Sequence, residues 1–216
     1  VLPVGLLRAL LPAPVAVAEA FGDDPDEPVF AGEEDLVATA TVGRRREFVT
    51  ARRCAREALA TLGFAPVAIR TGPRREPLWP AGVVGAITHC EGYRAAAVAR
   101  ADAIHGLGID AEPHKTLPPG VRDMVVAEGD DELLGELAAR RPEVHWDRVL
   151  FSAKESIYKA WFPLTGRWLG FEEASLSIDP DAGTFGAHLH VESELEIHGR
   201  FAIKDGLIAT VVITSR

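Results

Sequence analysis

"GAITHCEGYRAAAVA" (residues 85–99) and, near the other end of the chain, "FAIKDGLIATVVI" (201–213) share one pattern. Each is a run of small and β-branched residues, a Gly-containing turn, and a second such run, which specifies a β-hairpin. The first copy is two residues longer, which places an extension in its turn beside Thr88 and His89. Pairs of similar hairpins also arise by chance, so the repeat is a suggestion. If it is real, each half of the chain is a helix packed on a small antiparallel sheet, and the halves meet near residue 110.

The stretch at that meeting point is "GLGIDAEP" (106–113), at the end of an apolar run from Tyr93 that reads as strand. Side chains alternate along an extended chain, so Asp110 and Glu112 point the same way. Two such anions about 4 Å apart repel by roughly 1 kcal/mol in water and about 4 kcal/mol near a protein surface. Either they are solvated acids in a loop, or a positive charge sits between them.

Working outward, "GDDPDEPVFAGEED" (22–35) is an acidic, Pro-rich loop. It leads into a helix expected over 36–63, with Glu33, Glu34 and Asp35 at its positive end. Phe48, Ala51, Ala55, Leu59 and Leu62 recur at helical spacing, and Gly63 is placed to cap the helix. A helix is expected around 130–141. A stronger one, over 147–162, has Asp147 as N-cap candidate and Pro163 as its stop. The tail carries four strand-like runs, "ASLSID", "TFGAHLHVE", "LEIHGRFAIKD" and "GLIATVVITSR", parted by Gly, Asp and Pro.

Composition sets limits on partners. With 23 Lys and Arg against 32 Asp and Glu, the chain carries a formal net charge of −9. That excludes wholesale electrostatic binding to nucleic acid or anionic membranes, so an anionic ligand must meet a local basic patch. Two cysteines, Cys54 and Cys90, make no disulfide framework and suit a reducing compartment as small buried hydrophobes. The apolar opening (1–22) is broken by Arg8, Pro3, Pro12 and Pro14 and lacks a cationic leader, so it does not read as a signal peptide. A soluble, cytoplasmic protein is expected.

On the second helix, Glu155 and Lys159 are four apart and share a face, while Lys154, Tyr158 and Trp161 line an adjacent stripe. A solvated ion pair explains the first two taken alone. Phe151, Ile157, Ala160 and Trp161 make the helix too apolar for a surface element, which moves its charges to an interface or cleft. Asp110, Glu112 and Glu155 form a trio of hard oxygen ligands suited to Mg²⁺ or Mn²⁺ rather than zinc. Basic groups concentrate elsewhere: Arg44, Arg45, Arg46, Arg52, Arg53, Arg56, Arg74 and Arg75 all fall within 32 positions of an acidic protein. Their guanidinium forks suit terminal phosphates. His89 reads as structural or, beside a phosphate, as an imidazolium donor. His188, His190 and His198 read as strand surface.

Three stretches together resemble the motif set of the Sfp-type 4′-phosphopantetheinyl transferases: "GVVGAITHCEGY" (82–93), "GLGIDAEP" (106–113) and "WDRVLFSAKESIYKAWFPLTGRWLGFEEA" (146–174). The resemblance covers roughly residues 30–175. It implies an α+β, pseudo-twofold monomer of two similar halves, 1–108 on the nucleotide side and 109–216 with the metal and the catalytic helix. The active site would lie at their interface. It also implies transfer of the phosphopantetheine arm of coenzyme A to a serine of an apo acyl or peptidyl carrier protein, with release of 3′,5′-ADP and Mg²⁺ as cofactor.

Carried over by motif, Asp110, Glu112 and Glu155 match the metal ligands. His89 matches a phosphate contact, with Thr88 grouped beside it on the cofactor. Lys154 and Lys159 match the lysines that hold the pyrophosphate. Arg44 and Arg52 match positions that bind the nucleotide and its 3′-phosphate. Thr71 stands where a lysine is expected, with Arg74 and Arg75 placed to substitute. Glu155, Lys159 and Asp110 are then the catalytic group. Two alternatives stay open at this point: a metal-dependent hydrolase acting on the diphosphate of coenzyme A, and a non-catalytic nucleotide-binding subunit.

Overall fold

The computed structural model describes residues 5–214, so Pro3 and the end of the expected tail strand, Ser215 and Arg216, lie outside the described residues. Among the described residues, eight strands and four α-helices follow one another along the chain. They are β1 (Ala16–Ala20), α1 (Val42–Thr61), β2 (Val83–Cys90), β3 (Tyr93–Arg100), β4 (Gly106–Pro113), α2 (Pro119–Val125), α3 (Asp130–Arg140), α4 (Trp146–Thr165), β5 (Ala174–Asp179), β6 (Thr184–Leu189), β7 (Ile197–Lys204) and β8 (Leu207–Thr214). The fold is α+β, with two antiparallel sheets in the orders β1-β3-β2 and β4-β8-β7-β6-β5.

Both hairpins form, and they match more closely than the sequence comparison allowed. β2 pairs with β3 from Val83↔Arg100 to Cys90↔Tyr93, and β7 pairs with β8 from His198↔Ile213 to Lys204↔Leu207. Each turn therefore has two residues, Glu91-Gly92 and Asp205-Gly206. Asp205 and Gly206 both have positive φ, at 52° and 76°, as the tight right-twisted hairpin turn requires. No extension exists in the first turn: the two-residue offset lies at the strand starts, and Thr88 and His89 are strand residues of β2.

β3 is buried on both faces, which explains its unbroken apolar sequence. Ala96 and Val98 pack on Cys54, Ala55, Ala58 and Leu59 of α1. Ala95, Ala97 and Ala99 pack the other way, on Leu107, Ile109 and Ala111 of β4 and Ala209 and Val211 of β8. The expected single strand from Tyr93 is broken at 101–105, where Ile104 turns back to bond the Arg100 carbonyl. The second sheet gives its other face to α4, through Val149, Leu150, Ala153, Ile157 and Trp161 against Ile197, Phe201, Ile208 and Val212. Cys54 and Cys90 are free and buried, and burial pushes both thiols up to about 12.

Helix ends depart from expectation for local reasons. Residues 34–37 form a separate 3₁₀ turn, and α1 begins only at Val42, where the Thr41 hydroxyl accepts from the Arg44 amide. Glu33 precedes that turn without capping it through its side chain: it is buried, and accepts from Arg56 and the Ile69 amide at 2.7 Å each. Gly63 ends α1 as expected, at φ +86°. α4 starts one residue before Asp147, whose carboxylate instead accepts from the Leu117 amide. Pro163 does not stop α4, because in the last turn its ring forfeits a single hydrogen bond; Gly166, at φ +64°, does. The opening segment contributes β1 and buries Leu6, Leu7 and Leu10 against the sheets. Among the described residues no helix is long and apolar enough to cross a membrane.

The approach of α4 to β4 depends on Gly108, where a methyl group would overlap the Ser156 carbonyl oxygen and crowd the Ala160 nitrogen. Gly108→Ala should destabilise the protein by about 1–3 kcal/mol through overpacking. Thermal unfolding checks this, and an unchanged melting temperature would contradict so tight a contact.

Candidate active site

Alternation along β4 sends Leu107, Ile109 and Ala111 into the apolar core between the sheets. Gly108, Asp110 and Glu112 therefore turn toward α4. The facing stripe of α4 is Arg148, Ser152, Glu155 and Lys159, spaced four, three and four residues apart on one side of the helix. Lys159 Nζ reaches Asp110 Oδ1 at 2.7 Å, and the Ser152 hydroxyl donates to Asp110 Oδ2 at 2.8 Å. Arg148 donates to Glu112 Oε2 at 2.8 Å. The positive charges that reconcile the two neighbouring acids are thus Lys159 and Arg148.

The electrostatics follow from crowding. Burial, then the Asp110 charge, pushes the Glu112 carboxyl up to about 7, with Arg148 pulling the other way. Burial also raises Glu155, which Lys159 opposes and Asp110 reinforces. Burial alone would lower Lys159, but Asp110, Glu155 and Glu112 together carry it above the ordinary lysine value.

Beyond Lys159 opens a cleft of about 620 Å³. The N-terminal side lines it with Arg44, Arg52, Arg74, Arg75 and His89, and α4 lines it with Glu155, Tyr158 and Lys159. These groups come from α1, β2 and the turn at 71–77, which Thr71 closes by bridging to Pro77. Arg52 is mostly buried, donates to the Ile69 carbonyl and lies over the Phe48 ring at 3.6 Å. Burial first, against the pull of Glu33, brings Arg52 down to about 10. Arg53 and Arg56 are tied to Glu57 and Glu33.

Of the two readings of His89, the ring as it stands beside Arg44 is a neutral imidazole. Its Nε2 lies 2.7 Å from an Arg44 nitrogen, which has only protons to offer, so Nε2 accepts and the ring proton sits on Nδ1. Burial first, then the Arg44 charge, lowers His89 to about 4. The unfolded chain therefore takes up the proton first, and stability falls as pH drops from about 6.5 toward 4. In a proton NMR titration the His89 ring should stay neutral well below pH 6; a midpoint at 6.5 would contradict this geometry.

Two expected contacts lie elsewhere. Lys154 faces away from the cleft, with its side chain only 2 % exposed. It donates to Asp130 Oδ2 at 2.6 Å and to the carbonyls of Phe171 at 2.8 Å and Val125 at 3.0 Å, which uses all three protons. Thr88 is buried in the seam, where its hydroxyl donates to Asp110 Oδ1 at 3.3 Å and accepts from the Ala111 amide at 3.0 Å. It steadies Asp110 and joins the edges of the two sheets; it offers nothing to a ligand in the cleft. Arg148 and Ser152 are site residues that the motif reading passed over, although they continue the Glu155–Lys159 stripe toward the start of α4.

Among the described residues, no three His, Cys, Asp or Glu side chains are arranged as a ready metal-ligand set. The donor chemistry nonetheless fits a hard divalent cation: Asp110, Glu112 and Glu155 all bear on the Lys159 ammonium, and all are carboxylates. His188 and His198 are exposed on β6 and β7, apart from the cleft lining.

A cleft with arginines on one wall and a glutamate with a lysine on the other suits a ligand that carries phosphate groups. Comparison with known proteins narrows this. A model described as the 4′-phosphopantetheinyl transferase N-terminal domain matches residues 32–99, and one described as the 4′-phosphopantetheinyl transferase superfamily matches residues 106–212. The chain is 51% identical over 217 residues to the 4′-phosphopantetheinyl transferase Svp of Streptomyces mobaraensis, covering 96% of this chain and 88% of that protein. It is 46% identical over 222 residues to the 4′-phosphopantetheinyl transferase Npt of Nocardia iowensis, covering 96% and 99%. It is 41% identical over 224 residues to the 4′-phosphopantetheinyl transferase PptT of Mycobacterium tuberculosis, covering 96% and 97%. The chain belongs to the 4′-phosphopantetheinyl transferase family.

Proposed function

We propose that this protein transfers the 4′-phosphopantetheine arm of coenzyme A to a serine of apo acyl or peptidyl carrier proteins, releasing 3′,5′-ADP. The observation that carries the reading is the cleft itself, where arginines face a Glu155–Lys159–Asp110 cluster across the seam of the two halves. Residues 1–108 bind the nucleotide, and residues 109–216 carry the metal acids and the catalytic helix.

Arg44, Arg52, Arg74 and Arg75 receive the nucleotide end and its 3′-phosphate through guanidinium forks. His89 and Lys159 stand by the diphosphate. Glu155, its carboxyl raised by burial, takes the proton from the carrier serine. The serine oxygen then bonds to the phosphorus bearing pantetheine, and the bond from that phosphorus to the bridging oxygen breaks. Lys159 stabilises or protonates the 5′-phosphate of the departing 3′,5′-ADP, which keeps the bridging oxygen. Asp110, Glu112 and Glu155 would hold Mg²⁺, or Mn²⁺ in its place, which supplies neutralisation of the charge on both phosphates.

The protein acts as a monomer in the cytoplasm. Its carrier partners are transient, docking on this acidic chain through a local apolar or basic patch in a salt-sensitive way. Carriers of fatty-acid, polyketide and nonribosomal-peptide synthesis all fit this chemistry. Intact-mass analysis of apo carriers incubated with the protein, coenzyme A and Mg²⁺ tests the proposal. A mass gain equal to one phosphopantetheine arm is expected; release of 3′,5′-ADP without any carrier gaining mass would favour hydrolysis instead.

A further inference from the structure

We infer that Arg148 is a positioning residue that keeps Glu112 in place as the third acid of the proposed metal site. The inference rests on the metal reading given above. Arg148 is fixed on all sides of its guanidinium: besides Glu112 it donates from Nε to the Lys115 carbonyl and from a terminal nitrogen to the Thr116 carbonyl, each at 3.0 Å. Asp147, beside it, accepts from the Leu117 amide at 2.8 Å. The first turn of α4 thus clamps the whole connection that follows β4, and with it the last acid of that strand.

Glu112 needs such a clamp. It sits one residue from Pro113 at the end of β4, with a side chain 18 % exposed and the Asp110 charge on the same face. Repulsion from Asp110 and the pull of solvent both favour its swinging outward. Arg148, 14 % exposed and itself anchored by two backbone carbonyls, holds Oε2 and leaves Oε1 for a cation. By charge alone, deleting Arg148 would tighten metal binding. We take the opposite sign, because an acid that has turned to solvent contributes nothing to the site, and outer partners of metal ligands commonly matter about 10–100-fold. Lysine is no substitute: one ammonium cannot span a carboxylate and two carbonyls in this planar arrangement.

Mn²⁺, followed by electron paramagnetic resonance, is the probe. Arg148→Gln should weaken Mn²⁺ binding about tenfold, Arg148→Lys should restore little of it, and turnover lost by Arg148→Gln should return at high metal with KM for coenzyme A unchanged. In a Glu112→Gln background, adding Arg148→Gln should change Mn²⁺ affinity less than twofold. A wild-type-like or tighter Mn²⁺ affinity in Arg148→Gln, with only a lowered melting temperature, would overturn the inference and leave Arg148 a structural clamp. If the wild type binds no Mn²⁺, the metal reading falls and takes this role with it. Should Arg148→Gln fail to fold, the wild type carries the test: its Arg148 Nε–H resonance should shift with Mg²⁺ at the midpoint of metal binding, and indifference to Mg²⁺ would overturn the inference.

Discussion

Glu155→Gln should lower phosphopantetheine transfer by about 10²–10⁴-fold, the span ordinarily lost with a general base. The amide keeps the shape of the carboxylate but neither accepts the serine proton nor carries charge for a cation. Glu155 lies between Ser152 and Lys159 on the α4 stripe, so removing its charge also changes what Lys159 faces. Coenzyme A binding should change little, because the arginines of the opposite wall are untouched. Single-turnover transfer together with equilibrium binding of coenzyme A separates the two effects. A variant that transfers at near wild-type rate would remove Glu155 from the chemistry.

Lys154→Ala should act in the opposite way, costing about 3–5 kcal/mol of stability while leaving coenzyme A affinity unchanged in the folded fraction. Lys154 and Asp130 are an ion pair whose side chains are each 2 % exposed. Removing the lysine strands Asp130 in the interior and frees the carbonyls of Val125 and Phe171. Asp130 itself accepts from the Ala127 amide, so the turn between α2 and α3 loosens with it. Urea denaturation measures the loss. The double variant Lys154→Met with Asp130→Leu should recover most of it, because a buried pair replaced by apolar groups of similar size is often neutral. A loss of coenzyme A affinity at unchanged stability would instead return Lys154 to the pyrophosphate.

These two residues also mark where sequence reasoning reached its limit. Lys154 and Glu155 are neighbours in the chain but about 100° apart around a helix, so adjacency in a motif placed them together and geometry parts them. Whether Lys154 faces the cleft depends on Asp130, brought in by the turn between α2 and α3, and that is a tertiary fact. Asp110, Glu155 and Lys159 were legible because strand alternation and helical spacing are local rules. The hairpins were legible for the same reason, through Gly92 and Gly206. β1 was not: "AVAEA" becomes a strand only by pairing with β3, from Ala16↔Val98 to Ala20↔Arg94. The start of α1 was misjudged because apolar spacing runs straight across Thr41, whereas its hydroxyl caps the helix there. Arg148 carried a signal that went unused, since it lies one turn before Ser152 and two before Glu155.

A crystal structure with coenzyme A and Mg²⁺ tests the central proposal most directly. The account predicts the diphosphate in the seam between the two sheets, Lys159 and His89 beside it, and the metal in contact with Asp110 and Glu155. A diphosphate bound elsewhere, or a metal held without either of those acids, would contradict it.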